Sequence, residues 1–343
     1  MDSNGVVKLL YGFPNGTDGA GPYAALVQGT NGFLYGTAAF GGLNGVGTVF
    51  RMTTNGTGVE AWPLGPASGG FVPFAGLVQG LDGDFYGTAD CGGGNGYGTV
   101  FKLTSGGVLT GIHSFNNEDG AYPNVNLMQG GDGNFYGATF GGGANGSGTL
   151  FKITPTGIFT SLFSFANTNG VTPIAALMQD FAGNFYGTTY AGGAYGAGTV
   201  FKLSADGTFT SLYSLTGGDD GNNCSCGLLL ASDGNLYGAT QYGGVYGFGT
   251  VFRISLDGRL ATLVQFDGYQ GANPEGTLIQ GTDGNLYGVT VNGGANGWGA
   301  IFRVSIDSPL QITQQPQPQQ AFADDTVASV SRRSAACPFH ISG

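Results

Sequence analysis

Residues 132–151 read Asp-Gly-Asn-Phe-Tyr-Gly-Ala-Thr-Phe-Gly-Gly-Gly-Ala-Asn-Gly-Ser-Gly-Thr-Leu-Phe, and most of the chain consists of copies of this stretch. The Tyr-Gly pair recurs at intervals of 51, 50, 50, 51 and 50 residues, with its tyrosine at Tyr35, Tyr86, Tyr136, Tyr186, Tyr237 and Tyr287. The closing phenylalanine recurs in step at Phe50, Phe101, Phe151, Phe201, Phe252 and Phe302. A period of about 50 residues is typical of solenoids, propellers and arrays. The repeat therefore decides the fold.

Composition narrows the fold and the partners. Glycine accounts for 70 of the 343 residues without a Gly-X-Y period, which excludes collagen, and 41% hydrophobic residues argue against disorder. Such a glycine content suits a turn-rich all-β protein. Only 9% of the residues are charged and the net charge is −11, which disfavours nucleic acid and favours bound cations. No apolar run approaches the roughly 18 residues of a membrane span, so no transmembrane segment is expected.

Each period contains four strand-like runs. In the third repeat they are Val125–Gln129, Asn134–Phe140, Thr149–Thr154 and Ile158–Phe165. The runs are rich in β-branched and aromatic residues and are bounded by Gly, Asn, Asp or Pro, which is the usual signal of a short strand. Asp-Gly turns join antiparallel neighbours, and four such strands repeated around an axis form a propeller blade. The sequence therefore predicts an all-β propeller with four antiparallel strands per blade.

The two ends of the repeat region predict a closed ring of six blades. The chain opens with Val6–Phe13, which matches the fourth run of later repeats such as Val108–Phe115. The last repeat stops after its third run, Ile301–Ser305. Five full blades thus leave one strand at the start and three at the end. We expect the N-terminal strand to close the last blade by pairing with Ile301–Ser305, since closure removes exposed sheet edges.

The repeat pattern ends near residue 306. We expect residues 1–306 to form the six-bladed propeller and residues 307–343 to form a disordered linker with a truncated domain. Residues 315–319 read Gln-Pro-Gln-Pro-Gln, a composition typical of linkers. Residues 312–331 resemble the first strands of a bacterial immunoglobulin-like domain but are too short to fold as one. This pattern indicates a piece of a longer, multidomain protein.

The repeated cassette also carries a family resemblance. Asn-x-Tyr-Gly-Thr, then Gly-Gly, then Gly-Thr-Val-Phe-Lys resembles the Gloeo_Verruco (GloVer) extracellular tandem repeat of bacteria. All six copies carry the Tyr-Gly and the Gly-Gly, and the last closes with Gly-Ala-Ile-Phe at 299–302 where Gly-Thr-Val-Phe is usual. The resemblance covers residues 6–306. It implies a secreted or cell-surface protein and no particular activity, because the family is defined by its repeat.

Few residues of the repeat region are suited to catalysis. It contains one histidine, His113, on a predicted outermost strand, so a Ser-His-Asp or Cys-His arrangement near the axis is not expected. The Asp-Gly-Asn stretches lack the spaced acidic ligands of calcium loops and are interpreted as hairpin turns. Residues present in every copy, such as Tyr136 and the basic Lys152, are expected to serve the blade rather than a site.

Polar residues that occur in a single copy near the axis are the better candidates for a site. The first strand of each blade lines the channel of a propeller, and Asn124, Asn126 and Glu275 stand out there. One carboxylate and two amide oxygens are hard ligands that suit Ca²⁺. We therefore predict a calcium site formed by these three residues at the mouth of the channel. The candidate general bases in the neighbouring loops are Glu118, Asp219 and Asp220.

These residues favour a calcium-dependent hydrolase of small esters or lactones. Six-bladed propellers of the gluconolactonase and paraoxonase kind use a channel calcium held by Glu, Asn and Asp to polarise a lactone or ester carbonyl, which is an analogy at the level of the fold. Because these polar residues each occur in only one copy of the repeat, they favour a single site, which is what an enzyme requires. The alternative interpretation is that the same residues are polar only because they lie in solvated loops and form no site.

The alternative function is a non-catalytic extracellular module that binds polysaccharide or another protein. The Gly-Gly connections carry aromatic residues on the predicted face of the channel mouth, and such rings suit stacking on sugars, although they equally suit packing between neighbouring loops. These residues are Phe40, Tyr97, Phe140, Tyr190, Tyr195, Tyr242, Tyr246, Phe248 and Trp298. In either case we expect a monomer that does not bind nucleic acid.

Overall fold

The computed structural model describes residues 8–14, 16–65 and 69–306. This part of the chain contains strands and turns but no helix. Six antiparallel sheets follow one another along the chain, five with four strands and the last with three, and a two-stranded ribbon is inserted near the second. The prediction of an all-β chain of four-stranded units is thereby confirmed. The predictions for residues 307–343 lie outside the described residues.

The strands of the six sheets have the following bounds. Sheet 1 holds β1 (Val27–Gln28), β2 (Leu34–Ala38), β3 (Thr48–Met52) and β4 (Glu60–Pro63). The ribbon pairs β5 (Gly70–Phe71) with β8 (Cys91–Gly92), and sheet 2 holds β6 (Val78–Gln79), β7 (Phe85–Ala89), β9 (Thr99–Leu103) and β10 (Leu109–Ser114). Sheet 3 holds β11 (Met128–Gln129), β12 (Phe135–Thr139), β13 (Thr149–Ile153) and β14 (Phe159–Ser164).

The second half of the chain repeats this plan. Sheet 4 holds β15 (Met178–Gln179), β16 (Phe185–Thr189), β17 (Thr199–Leu203) and β18 (Phe209–Ser214). Sheet 5 holds β19 (Leu229–Leu230), β20 (Leu236–Thr240), β21 (Thr250–Ile254) and β22 (Leu260–Gln265). Sheet 6 holds β23 (Ala272–Gln280), β24 (Leu286–Asn292) and β25 (Ala300–Val304).

Antiparallel order gives each sheet two distinct ends. At the turn end lie the Asp-Gly-Asn hairpins, such as Asp132–Asn134, and the turns between the third and fourth strands. At the loop end lie the Gly-Gly connections, such as residues 141–148, and the connections from one sheet to the next. This division matters because the candidate site residues and the aromatic residues all belong to the loop end.

The repeated residues hold each sheet together. In sheet 3, Tyr136 lies opposite Lys152, and Gly137 lies opposite Phe151. A Cβ on Gly137 would lie 2.6 Å from the Phe151 ring, so only glycine leaves room for that ring. The Tyr136 hydroxyl donates to the Asp132 carboxylate at 2.8 Å, which fixes the hairpin turn. These contacts agree with the prediction that residues present in every copy serve the sheet.

Neighbouring sheets pack through the same tyrosine. At the three junctions among sheets 1 to 4, the tyrosine ring of one sheet packs on the phenylalanine that precedes the tyrosine of the next sheet, whereas Leu236 and Leu286 hold this place in sheets 5 and 6. The ring centroids are 3.8 Å apart for Tyr35 and Phe85, 3.9 Å for Tyr86 and Phe135, and 4.1 Å for Tyr136 and Phe185. The hydrophobic core therefore lies between consecutive sheets.

The expected pairing of Val6–Phe13 with Ile301–Ser305 is not formed. Residues 8–13 lie in no strand, and β25 pairs only with β24 in the described part of the chain; residues 6 and 7 lie outside it. Ile301 is 82% exposed, whereas its counterparts in all five earlier sheets are fully buried: Val49, Val100, Leu150, Val200 and Val251. The N-terminal segment instead lies against sheet 1, with the Phe13 ring 5.1 Å from that of Phe50.

Candidate functional site

The two predicted asparagine ligands lie just before β11 at the loop end of sheet 3. The Asn126 carboxamide oxygen accepts a hydrogen bond from the Gly76 backbone N–H at 2.7 Å, so it ties sheet 3 to sheet 2. The Asn124 carboxamide oxygen is buried and has no partner among the described residues. A buried acceptor without a donor is costly. Asn124 is therefore the residue of this pair that has a free ligand atom.

The predicted carboxylate ligand lies elsewhere. Glu275 is exposed on β23, opposite Val289, and makes no hydrogen bond or ion pair within the described chain. The thiol of Cys226, just before β19, donates to the carbonyl of the adjacent Pro274 at 3.7 Å, which places Glu275 at the junction of sheets 5 and 6. Burial, with a smaller contribution from the Glu275 charge, raises the pKa of Cys226 to about 12. No group of three or more His, Cys, Asp or Glu residues suited to a metal occurs in the described part of the chain.

Asp220, a predicted general base, is engaged in its own loop. This nearly buried carboxylate accepts hydrogen bonds from the Tyr213 hydroxyl at 3.0 Å, from the Thr216 N–H at 2.9 Å and from the Thr216 hydroxyl. Burial, with a smaller contribution from Asp220, raises the pKa of Tyr213 to about 12. Asp18 and Asp119 accept similar bonds from Tyr11 and His113 at the same position of earlier repeats. Asp220 thus belongs to a repeated loop contact.

The other two predicted bases are free. Glu118 and Asp219 are both exposed, and neither side chain has a hydrogen bond within the described structure. His113 lies on the outermost strand, as predicted, with its ring stacked on Phe159 at 3.9 Å. Burial lowers the pKa of His113, and the Asp119 carboxylate opposes this shift only in part. The histidine is thus held between the Asp119 carboxylate and the Phe159 ring.

The aromatic residues of the Gly-Gly connections divide into packed and open rings. The ring centroids of Phe40 and Tyr23 are 6.2 Å apart, and those of Tyr97 and Tyr122 are 6.1 Å apart, both in edge-to-face geometry. Part of the set therefore packs between neighbouring loops. Most of the set is nevertheless exposed over more than a third of its surface: Phe40, Phe140, Tyr195, Tyr242, Tyr246, Phe248 and Trp298. The loop end of the molecule therefore presents open aromatic surface.

Two of these tyrosines replace a structural asparagine. In the first three repeats the corresponding residue donates through its carboxamide to a carbonyl at the end of the fourth-strand segment: Asn44 to Leu64 at 2.7 Å, Asn95 to Phe115 at 3.5 Å and Asn145 to Phe165 at 3.1 Å. In sheets 4 and 5 this position holds Tyr195 and Tyr246, which are 67% and 59% exposed. Aromatic character alone does not distinguish these two tyrosines from the other rings of the connections, whereas an alignment of the six repeats shows that they replace asparagine.

The chain belongs to the Gloeobacter/Verrucomicrobia repeat family, which it matches over residues 1–182 and 169–315. This family is extracellular, and the described part of the chain contains no helix that could span a membrane. No curated protein sequence matches the chain.

Solved structures resemble the fold at low identity. One is the extracellular domain of a one-component system from Bacteroides thetaiotaomicron, with 12% identity, a TM-score of 0.53, and 82% of this chain but only 32% of that one covered. This likeness concerns the fold alone. A gluconolactonase from Xanthomonas campestris matches with 12% identity, coverage of 84% and 88%, and a TM-score of 0.46. A luciferin-regenerating enzyme matches with 15% identity, coverage of 80% and 84%, and a TM-score of 0.47. At these TM-scores the last two carry no argument about activity.

Proposed function

We propose that this chain is an extracellular module that binds neutral polysaccharide through the open aromatic rings at the loop end of sheets 4 and 5. The observation that carries the proposal is the replacement of a structural asparagine by Tyr195 and Tyr246. A residue that only served the sheet would keep the carboxamide donor found in sheets 1 to 3. The exchange gives up a hydrogen bond and exposes apolar ring surface, which suits a binding role.

The surrounding residues support a sugar ligand. Tyr242 and Phe248 lie in the same connection as Tyr246 and are also exposed. Aromatic rings offer large, rigid contact area at a low cost in side-chain entropy, and their faces suit the apolar faces of sugar rings. The net charge of −11 disfavours acidic polysaccharides by repulsion. The expected ligand is therefore an uncharged glycan chain.

Restoring the repeat consensus tests the proposal. Tyr195→Asn and Tyr246→Asn each give the residue of sheets 1 to 3, so the fold should persist while the ring is lost. We expect each change to weaken retention by xylan, mannan or hydroxyethyl cellulose in affinity electrophoresis by about tenfold, the usual loss for an aromatic contact of 1–2 kcal/mol. Leu81→Ala, at the turn end of sheet 2, is the control and should bind as the parent does. A parent protein that no neutral glycan retains would contradict the proposal.

We also propose that the six sheets are the blades of a closed six-bladed propeller. The contact between Phe13 and Phe50, at 5.1 Å, repeats the contacts of Phe115 with Phe151 at 5.3 Å and of Phe266 with Phe302 at 5.0 Å. In those pairs a residue at the end of one sheet's fourth strand packs on the next sheet. The N-terminal segment thus holds the place of a fourth strand before sheet 1, and sheet 6 is short of one fourth strand.

The second candidate function is the calcium-dependent hydrolase of small esters or lactones, and the free Asn124 oxygen favours it. Calcium would take that oxygen, a second lone pair of Asn126 and the Glu275 carboxylate as ligands, with Glu118 or Asp219 as the base; the hydrogen bonds of Asp220 make it the weakest of the three predicted bases. Bound calcium supplies a Lewis acid for a carbonyl. These donors are not seen to converge, so this function ranks second.

Glu275→Gln tests the hydrolase, because it keeps the shape of the side chain and removes its charge. We expect weaker calcium binding by calorimetry and loss of turnover on an acyl lactone. Asp257→Asn, an exposed carboxylate at the turn end, is the matched control and should change neither quantity. If Glu275→Gln also leaves calcium binding and turnover unchanged, the proposed calcium site is wrong.

A further inference from the structure

At four of the five junctions between consecutive sheets, a glutamine side chain links the two sheets by hydrogen bonds at the turn end. The carboxamide oxygen of this glutamine accepts the backbone N–H of the preceding sheet's hairpin, and its NH₂ donates to a carbonyl of its own hairpin. The backbone donors and their acceptors are Thr30 and Gln79 at 2.9 Å, Leu81 and Gln129 at 3.1 Å, Gly131 and Gln179 at 3.0 Å, and Ser232 and Gln280 at 3.0 Å. We call this contact the glutamine latch.

The junction between sheets 4 and 5 lacks the latch. Leu230 occupies the glutamine position, and the corresponding backbone N–H, that of Phe181, has no partner among the described residues. The Phe181 side chain is fully exposed. A cleft of about 530 Å³ opens there, with Phe181, Leu230, Ala231 and Leu256 among its walls. Its size falls within the range of small-molecule sites.

The chemistry of the cleft defines what could fill it. The walls are mainly apolar, and the unused N–H is the donor that a carboxamide oxygen satisfies at the four latched junctions. The Asp180 carboxylate at the rim accepts hydrogen bonds from the N–H groups of Ala182 and Asn184 and from the Tyr186 hydroxyl. Its negative charge disfavours a ligand that carries a carboxylate.

We infer that this cleft is a binding site for a small, uncharged, largely apolar molecule with one carbonyl oxygen. The apolar part lies against Phe181, Leu230 and Leu256, and the carbonyl accepts the Phe181 N–H as the latch oxygen does elsewhere. The site lies at the turn end, whereas the proposed glycan surface lies at the loop end. The inference is therefore independent of the proposed function.

The test uses prodan, a naphthalene with one ketone, as the fluorescent probe. We expect saturable binding with blue-shifted emission, and about tenfold weaker binding of dimethylaminonaphthalene, which lacks the ketone. Leu230→Gln supplies the missing latch and should reduce prodan affinity at least tenfold without lowering the melting temperature. Phe181→Gly, which gives the residue of sheet 3, should weaken binding to a similar extent.

Leu81→Gly is the matched control, because it removes an exposed apolar side chain from the same hairpin position at a latched junction. Prodan affinity should be unchanged in this variant. Equal binding of prodan to the parent and to both Leu230→Gln and Phe181→Gly would overturn the inference. So would equal loss of binding in Leu81→Gly, since that would indicate adsorption to any exposed apolar side chain.

Discussion

At the scale of single residues, the repeat separates residues that serve the fold from those that do not. Gly137 is required because the Phe151 ring lies where its Cβ would be. Residues that serve the fold could be predicted from the sequence because they recur in every repeat. The hydrogen bonds that hold the Asp220 carboxylate could not be predicted, because their donors are Tyr213 and Thr216 and spacing alone does not show which way a loop side chain turns.

Gly137→Ala should destabilise the protein by about 1–3 kcal/mol, the usual cost of overpacking a filled core. Urea unfolding measures this change. Gly106→Ala is the control, because its Cβ would meet no atom closer than 3.8 Å and its φ is not positive. That variant should match the parent or gain slightly in stability. An equally stable Gly137→Ala variant would show that the Phe151 ring moves aside at little cost.

The hairpin aspartates predict a loss of stability in acid. Burial raises the pKa of each carboxyl, but hydrogen bonds from the hairpin or its tyrosine outweigh burial, so the pKa is lowered from 3.8 at Asp82, Asp132, Asp180 and Asp233. Between the folded and unfolded pKa values the folded protein binds fewer protons. The stability that these carboxylates contribute is therefore present above about pH 3.8 and is lost as the pH falls through the folded pKa.

Urea midpoints measured from neutral pH down to about pH 3 should fall in the acid range. Asp132→Asn is the control for one hairpin, because Asn31 occupies this place in the first repeat and binds Tyr35 at 2.8 Å. This variant should lose less stability in acid than the parent does. A midpoint that stays constant or rises on acidification would contradict the assigned direction of the pKa shifts.

At the scale of strands and sheets, most of the structure could be predicted from the sequence. The second, third and fourth runs of the third repeat lie within two residues of β12, β13 and β14. The innermost strand was overestimated, since only Met128–Gln129 pairs with β12. The residues before it make contacts to the neighbouring sheet instead, as Asn126 does with Gly76. Local pattern indicates an extended chain but not which sheet its hydrogen bonds reach.

At the scale of the whole molecule, the glutamine latch offers a test of the proposed ring closure. Gln28 occupies the latch position of sheet 1, and its side chain makes no hydrogen bond in the described structure. The corresponding donor in a closed ring would be the Thr282 N–H of sheet 6. In a closed ring, Gln28→Leu should destabilise the protein by about 1–2 kcal/mol, the worth of one or two hydrogen bonds. Gln129→Leu, at a formed latch, sets the reference. Loss of stability in Gln129→Leu but not in Gln28→Leu would indicate an open ring.

The proposed glycan binding depends on Tyr195 and Tyr246, the two tyrosines that replace the asparagine of the repeat. The direct measurement is a calorimetric titration, with the best-retained neutral polysaccharide, of the parent and of the double variant Tyr195→Asn/Tyr246→Asn, alongside their melting curves. We predict that the double variant melts at or above the temperature of the parent and binds at least about a hundredfold more weakly. Undiminished affinity in a correctly folded double variant would contradict the account.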